Sequence, residues 1–304
     1  LETPVERLQH MNQPAYEFYL NRNPGIDLAA DRLEIGVCAQ HNNGGIDVDL
    51  WWRSSIAGLF PVGEAAGAHG VARPGGAALN SAQVGATRAA QWIAAREQGA
   101  ARADEGWQEL AGDALQKARS LLEAACGREE SSGVLIDDVL MESTRAMSDN
   151  AGLVRSRQGL EELARNVAEW RRRVVDECVV DPTSRRSVDR LFLVRDILDV
   201  QAVYVAAMLD HLDHGVGSRG SVLYTDPDGD LPVSWWNDGA DLDVEEIFRH
   251  RLDSKAHHGV TQRVSVDAVG EAIHAHWGPV RPIPTEDEFL ENVWKTYRVD
   301  HNIH

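Results

Sequence analysis

A chain of 304 residues with 48 Asp and Glu against 30 Lys and Arg carries a formal charge of −18, which repels phosphate backbones and sets nucleic acid aside as a partner. A hydrophobic content of 43% is enough to bury a sizeable core in one or two domains. No apolar run approaches the roughly 20 residues that span a bilayer, and three scattered cysteines, Cys38, Cys126 and Cys178, suit a reducing, cytoplasmic setting better than a disulfide framework.

The opening LETPVERLQH has the character of neither a signal peptide nor a translation start, and is expected to be a cut. A helical stretch is expected at 15–22, a turn at Pro24-Gly25 and a helical turn near 28–32. Apolar strands are expected at 33–38 and 58–62, and the alternation Ile46-Asp47-Val48-Asp49-Leu50 has the period of a third. Gly63-Glu64 ends the second strand. A loop rich in Gly and Ala then carries His69 and Arg73, and small residues from Ser81 to Ile93 form a helix with Asn80 or Ser81 as its N-cap. Strand, glycine turn and helix N-terminus together aim backbone N–H groups at an electron-rich ligand.

From 103 to 215 the pattern is helical. Four helices are expected, at about 107–125, 134–149, 159–178 and 187–214, and short links between them imply a bundle. Beyond Gly215 periodicity weakens: Asp226-Pro227-Asp228-Gly229-Asp230 is expected as a turn, Trp235-Trp236 as the start of a docking strand, and 286–297 as a short helix. The aspartates at 226, 228 and 230 have calcium-loop spacing but lack its terminal Glu, and tail histidines such as His274 and His276 are expected in solvent rather than on zinc. Arg171-Arg172-Arg173 is expected on a solvated helix face, and the Trp51-Trp52 pair in packing or subunit contact.

Taken as a set, G-E-A-A at 63–66, H-G-V-A-R-P-G-G at 69–76 and H-N-N-G-G-I at 41–46 resemble the flavin-binding segment of the succinate dehydrogenase/fumarate reductase flavoprotein family. Asn150-Ala151-Gly152-Leu153-Val154-Arg155 through Gly159-Leu160, and Ser218-Arg219-Gly220, resemble segments of that family's helical domain. The resemblance covers about 33–225 and implies FAD as cofactor, with Gly44, Gly45, Gly63, Glu64, Gly75, Gly76, Leu79, Asn80 and Ser81 near it. It implies that Arg73 and His41 grip the carboxylate of a small substrate, with His69 as a further contact, and that Arg219 lies where the helical domain meets the catalytic core. Arg suits a carboxylate because its guanidinium is always charged and binds it bidentately.

Departures from the family are informative. No G-x-G-x-x-G dinucleotide fingerprint follows a strand, and Ala77-Ala78 replaces the family's Asn-Ser, which puts succinate and fumarate in doubt. The expected architecture is mixed α/β. It comprises the tail of a capping domain (1–32), the C-terminal part of an FAD-binding fold (33–102), a helical bundle (103–215) and an irregular extension (216–304). The competing expectation is a helical module that docks a redox partner or another subunit, the flavin segment being a remnant.

Overall fold

The computed structural model describes residues 2–31, 44–68, 75–96, 106–129, 133–181, 183–220, 222–234, 243–267, 272–280, 285–286 and 289–300. The chain forms two compact units, Leu1–Asn42 and Asn43–His304. The first contains α1 (Pro4–Met11) and α2 (Gln13–Arg22). A capping box starts α1, in which Thr3 Oγ1 accepts from Glu6 N–H at 3.2 Å and the Glu6 carboxylate accepts from Thr3 N–H at 3.4 Å. Only α2 was expected. The strand read at 33–38 lies outside the described residues.

The second unit contains α3 (Gly75–Arg96), α4 (Trp107–Cys126), α5 (Ile136–Ala151), α6 (Arg157–Asp176), α7 (Arg185–Asp213) and α8 (Phe289–Asp300). Its core lies among α5, α6 and α7. On α6, residues Leu160, Leu163, Val167, Trp170 and Val174 recur every three or four positions, so one stripe faces inward. That stripe joins Leu191, Val194, Leu198 and Val205 of α7 in one buried cluster. Each such aliphatic side chain contributes about 2 kcal/mol through burial. Of the arginines expected on a solvated face only Arg172 is exposed, pairing with Glu169 at 2.7 Å and Glu177 at 2.6 Å, whereas Arg171 and Arg173 are half-buried and Arg171 reaches across to Asp199 of α7 at 2.8 Å.

Short parallel clips pin the ends of these helices. Strand β1 (Val134–Leu135) pairs with β3 (Cys178–Val179), and β2 (Val154–Arg155) with β4 (Leu223–Asp230). Arg128 bonds the Cys178 and Val175 carbonyls, both at 2.8 Å, and burial pushes the Cys178 thiol up to about 11. The motif running from Asn150 to Gly159 is a helix-to-helix turn. Arg155 Nε donates to the Ala151 and Gly152 carbonyls at 3.1 and 2.8 Å, closing α5. Ser156 Oγ accepts from Gly159 N–H at 3.0 Å, opening α6. A Cβ on Gly159 would stand 2.7 Å from Asn150 Oδ1, so the glycine is needed for this approach.

Three sequence expectations are corrected. Residues 58–62 and 46–50 form no strand ladder; Ile46 makes a single parallel bridge to Ala66. Asp49 turns the chain away, its carboxylate accepting from Trp51 and Arg53 N–H at 2.8 and 3.0 Å. Next, 226–230 belongs to β4: Thr225 and Asp230 both bridge His250, so the residues between them bulge. Finally, the 216–304 extension holds a regular antiparallel hairpin, β5 (Val260–Val266) with β6 (Ile273–Pro279), which packs on α7. Trp235-Trp236 lies outside the described residues. Among the described residues, no helix is long and apolar enough to cross a membrane, and no cluster of His, Cys, Asp or Glu is placed to hold a metal.

Candidate functional site

Gly45 lets two backbone segments touch. Ile46 N–H donates to the Ala65 carbonyl and Gly67 N–H to the Ile46 carbonyl, each at 2.9 Å. A Cβ on Gly45 would lie 2.6 Å from the Ala65 oxygen and 2.9 Å from Gly67 N, a collision with backbone that no rotamer relieves. The Gly44-Gly45 loop is thus seated on the residues that follow Gly63-Glu64.

Gly63 to Ala65 form one 3-10 turn, which Gly63 enters at φ +65°, a left-handed conformation suited to glycine. A Cβ at Gly63 would be 3.6 Å from the Ala82 methyl, so the turn rests on α3 through small residues. Glu64 is exposed at this junction.

Helix α3 already runs from Gly75, six residues before the expected start, so Leu79, Asn80 and Ser81 lie inside it and neither Asn80 nor Ser81 is an N-cap. The expected boundary rested on a preference for Asn and Ser at caps; the run of Gly and Ala ahead of them continues the helix. Leu79 is 73% exposed, and Ile46, Leu59 and Val62 are also exposed apolar side chains of this region. His41, His69 and Arg73 lie outside the described residues. The structure therefore brings Gly44, Gly45, Gly63, Glu64 and the first turns of α3 into one neighbourhood.

An aromatic clamp holds the neighbourhood together. Trp51 and Trp92 rings approach to 5.6 Å, with the Arg88 guanidinium 4.1 Å over Trp51 and Arg53 4.1 Å over Trp92. Arg88 Nε also donates to the Leu50 carbonyl at 2.7 Å. Trp52, at φ +57°, lies against Gly85 of α3, where a Cβ would meet its ring nitrogen at 2.5 Å. Burial opposes ionisation of Asp49, but hydrogen bonds from the Arg53 side chain and from the Arg53 and Trp51 N–H groups outweigh it and hold the carboxyl below the usual range. Packing was expected of Trp51-Trp52, whereas Arg53, Arg88 and Trp92 were missed. Their signal was present: Arg88 and Trp92 stand four apart on one helix face.

Arg88→Ala should loosen this clamp, costing about 1 to 2 kcal/mol for the stacked cation and its hydrogen bond. Amide exchange of residues 44–62 should accelerate while that of α6 stays unchanged. Unaltered exchange at 44–62 would refute the clamp.

No protein-family model matches the chain. A search of curated proteins finds one component of the CoM/CoB fumarate reductase of Methanothermobacter marburgensis, 39% identical over 66 residues, covering 21% of this chain and 12% of that protein. Among solved structures, a variant of the E. coli quinol fumarate reductase FrdA superposes with a TM-score of 0.69 at 19% identity, covering 94% of this chain and 45% of that one. The Mycobacterium smegmatis Sdh1 complex in its apo form gives 0.62 at 20% identity, covering 98% and 46%. The chain thus spans less than half the length of the proteins it resembles, and it shares the fold of a portion of their flavoprotein subunits.

Proposed function

We propose that this chain is the C-terminal portion of an FAD-dependent oxidoreductase acting on a small carboxylate-bearing substrate. The observation that carries the reading is the convergence of the Gly44-Gly45 loop, the Gly63-Glu64 turn and the N-terminal turns of α3, in a fold shared with fumarate reductase and succinate dehydrogenase flavoproteins. On this reading residues 1–32 end a capping domain, 33–102 complete the flavin fold, 103–215 form the helical domain and 216–304 extend it.

The described residues fit the cofactor. Exposed Ile46, Val62 and Leu79 offer apolar surface, and the exposed Glu64 carboxylate offers an acceptor for a sugar hydroxyl. The α3 N-terminus at Gly75 and Gly76 supplies a positive dipole end suited to an electron-rich ring edge. Bound FAD would supply hydride transfer to or from substrate. In this chain, Arg73 and His41 would orient the substrate carboxylate and His69 would add a polar contact. A cytoplasmic location and association with a redox partner subunit or a second copy belong to the same proposal.

A second reading is favoured by one observation: an open groove of about 430 Å³ between α5 and α7 is lined by Met147, Ile197, Val200 and Tyr204, with Thr144, Asp196 and Gln201 among them, and exposes mostly apolar surface. It suits a module that docks another subunit. Visible spectroscopy separates the readings. The chain should show no flavin bands when purified alone with FAD, and bands after purification with a partner half that carries the dinucleotide fingerprint. Absence of bands in both samples would leave the docking module.

A further inference from the structure

The hairpin of β5 and β6 is anchored to α7 by polar groups. Asp210 Oδ2 accepts from Gln262 Nε2 at 2.6 Å and from Trp277 Nε1 at 2.8 Å, so both strands depend on one carboxylate oxygen. Three imidazoles surround the Trp277 ring, with centroids 5.4 Å away for His211, 5.0 Å for His214 and 6.0 Å for His257.

Two of these histidines face an acid. His214 Nδ1 lies 3.3 Å from Asp210 Oδ1, and His257 Nδ1 lies 3.1 Å from Asp253 Oδ1. The Asp253 side chain is only 2% exposed and also faces His258 at 3.5 Å and Arg219 at 3.6 Å. His211 differs. Burial first, then Arg219, Arg155 and His257, disfavour a proton on its ring and outweigh Asp210, which pushes it down to about 4. The Asp210 oxygens are meanwhile engaged by the hairpin and His214. The hairpin also reaches the glycine loop, since Arg263 Nε stands 2.9 Å from Asp47 Oδ2, two residues beyond Gly45.

We propose that the β5–β6 hairpin is an acid-released strap joining α7 to the Gly44–Asp47 loop. It stays docked while His211 is neutral and lifts when that imidazole takes a proton, which draws Arg263 away from Asp47. Trp277 of the hairpin covers docked His211, and burial is the largest cause disfavouring a proton on that ring; lifting the hairpin relieves the burial, while Arg219 and Arg155 stay beside the ring. The undocked ring therefore takes a proton more readily than the docked one, so falling pH favours release in the window between the ordinary imidazole value of about 6.5 and about 4. Allowing for the ring's partial exposure, the shift at a pH of about 5 is on the order of tenfold. The strap stands independently of any flavin chemistry.

Hydrogen exchange of residues 260–279 tests this, with rates corrected for the intrinsic effect of pH and referenced to α6. Between neutral pH and pH ~5, relative exchange should rise about tenfold in the unaltered chain. In His211→Phe, which keeps a ring against Trp277 but has no titrating nitrogen, the rise should vanish, and His211→Gln should agree should the phenylalanine misfold. No rise in the unaltered chain, or an equal rise in a folded variant, would overturn the proposal.

Discussion

Leu198→Ala should lower the stability of the helical bundle by about 3 to 4 kcal/mol, the range for a leucine removed from a core that cannot collapse around the gap. Leu198 is fully buried within the cluster shared by α6 and α7. At roughly 2 to 4 °C per kcal/mol for a domain of this size, its thermal midpoint should fall by about 10 °C. Val200→Ala, two residues along α7 and 53% exposed, is the control and should cost under about 1 kcal/mol. Urea or thermal unfolding measures both. Equal losses would mean that the bundle core does not lie between α6 and α7.

Gly45→Ala should open the contact between the glycine loop and residues 65–67. Its Cβ would fall within 2.9 Å of three backbone atoms, the Ala65 oxygen, the Ala66 carbon and the Gly67 nitrogen, and backbone cannot rotate away as a side chain can. Overpacking against main chain costs about 3 kcal/mol here, more than the two hydrogen bonds at Ile46 and Gly67 return. Nothing lies within 4 Å of a Cβ at Gly44, so Gly44→Ala should leave the contact intact although it is the adjacent residue. Exchange at the Ile46 and Gly67 amides reports the opening directly. If both variants protect these amides equally, Gly45 is not the residue that sets the approach.

The two substitutions probe different kinds of information. The bundle was legible because its signal is local: the stripe of Leu160, Leu163, Val167, Trp170 and Val174 repeats at the helical period, and one face must be buried wherever the helix goes. The expected fourth helix, 187–214, differs from α7 by only two residues at its start and one at its end. The start of α3 was misplaced because the cap preference of Asn80-Ser81 and the low helix propensity of Gly75-Gly76 both argued for a later start, and tertiary context overrode them.

The hairpin was harder to see. Val260, Gln262 and Val264 alternate, as do Ile273, Ala275 and Trp277, but polar residues interrupt the inward face. Gln262 is there because Asp210, more than 50 positions earlier, offers it an acceptor. The candidate site divides the same way. The family resemblance marked Gly44, Gly45, Gly63 and Glu64 as a set, and glycine suits places where backbone must come close. The partners that make the approach close, Ala65 to Gly67 for Gly45 and Ala82 for Gly63, depend on how the chain returns on itself.

By itself, then, the sequence determined the periodic helices, the charge balance and the glycine positions, because each follows from neighbours within a few residues. Tertiary structure alone decided the clamp of Arg88 on Trp51, the burial of His211 beside Arg219 and Arg155, and the reach of Arg263 to Asp47. These depend on side chains from distant segments, whose desolvation and pairing energies exist only once the chain has closed.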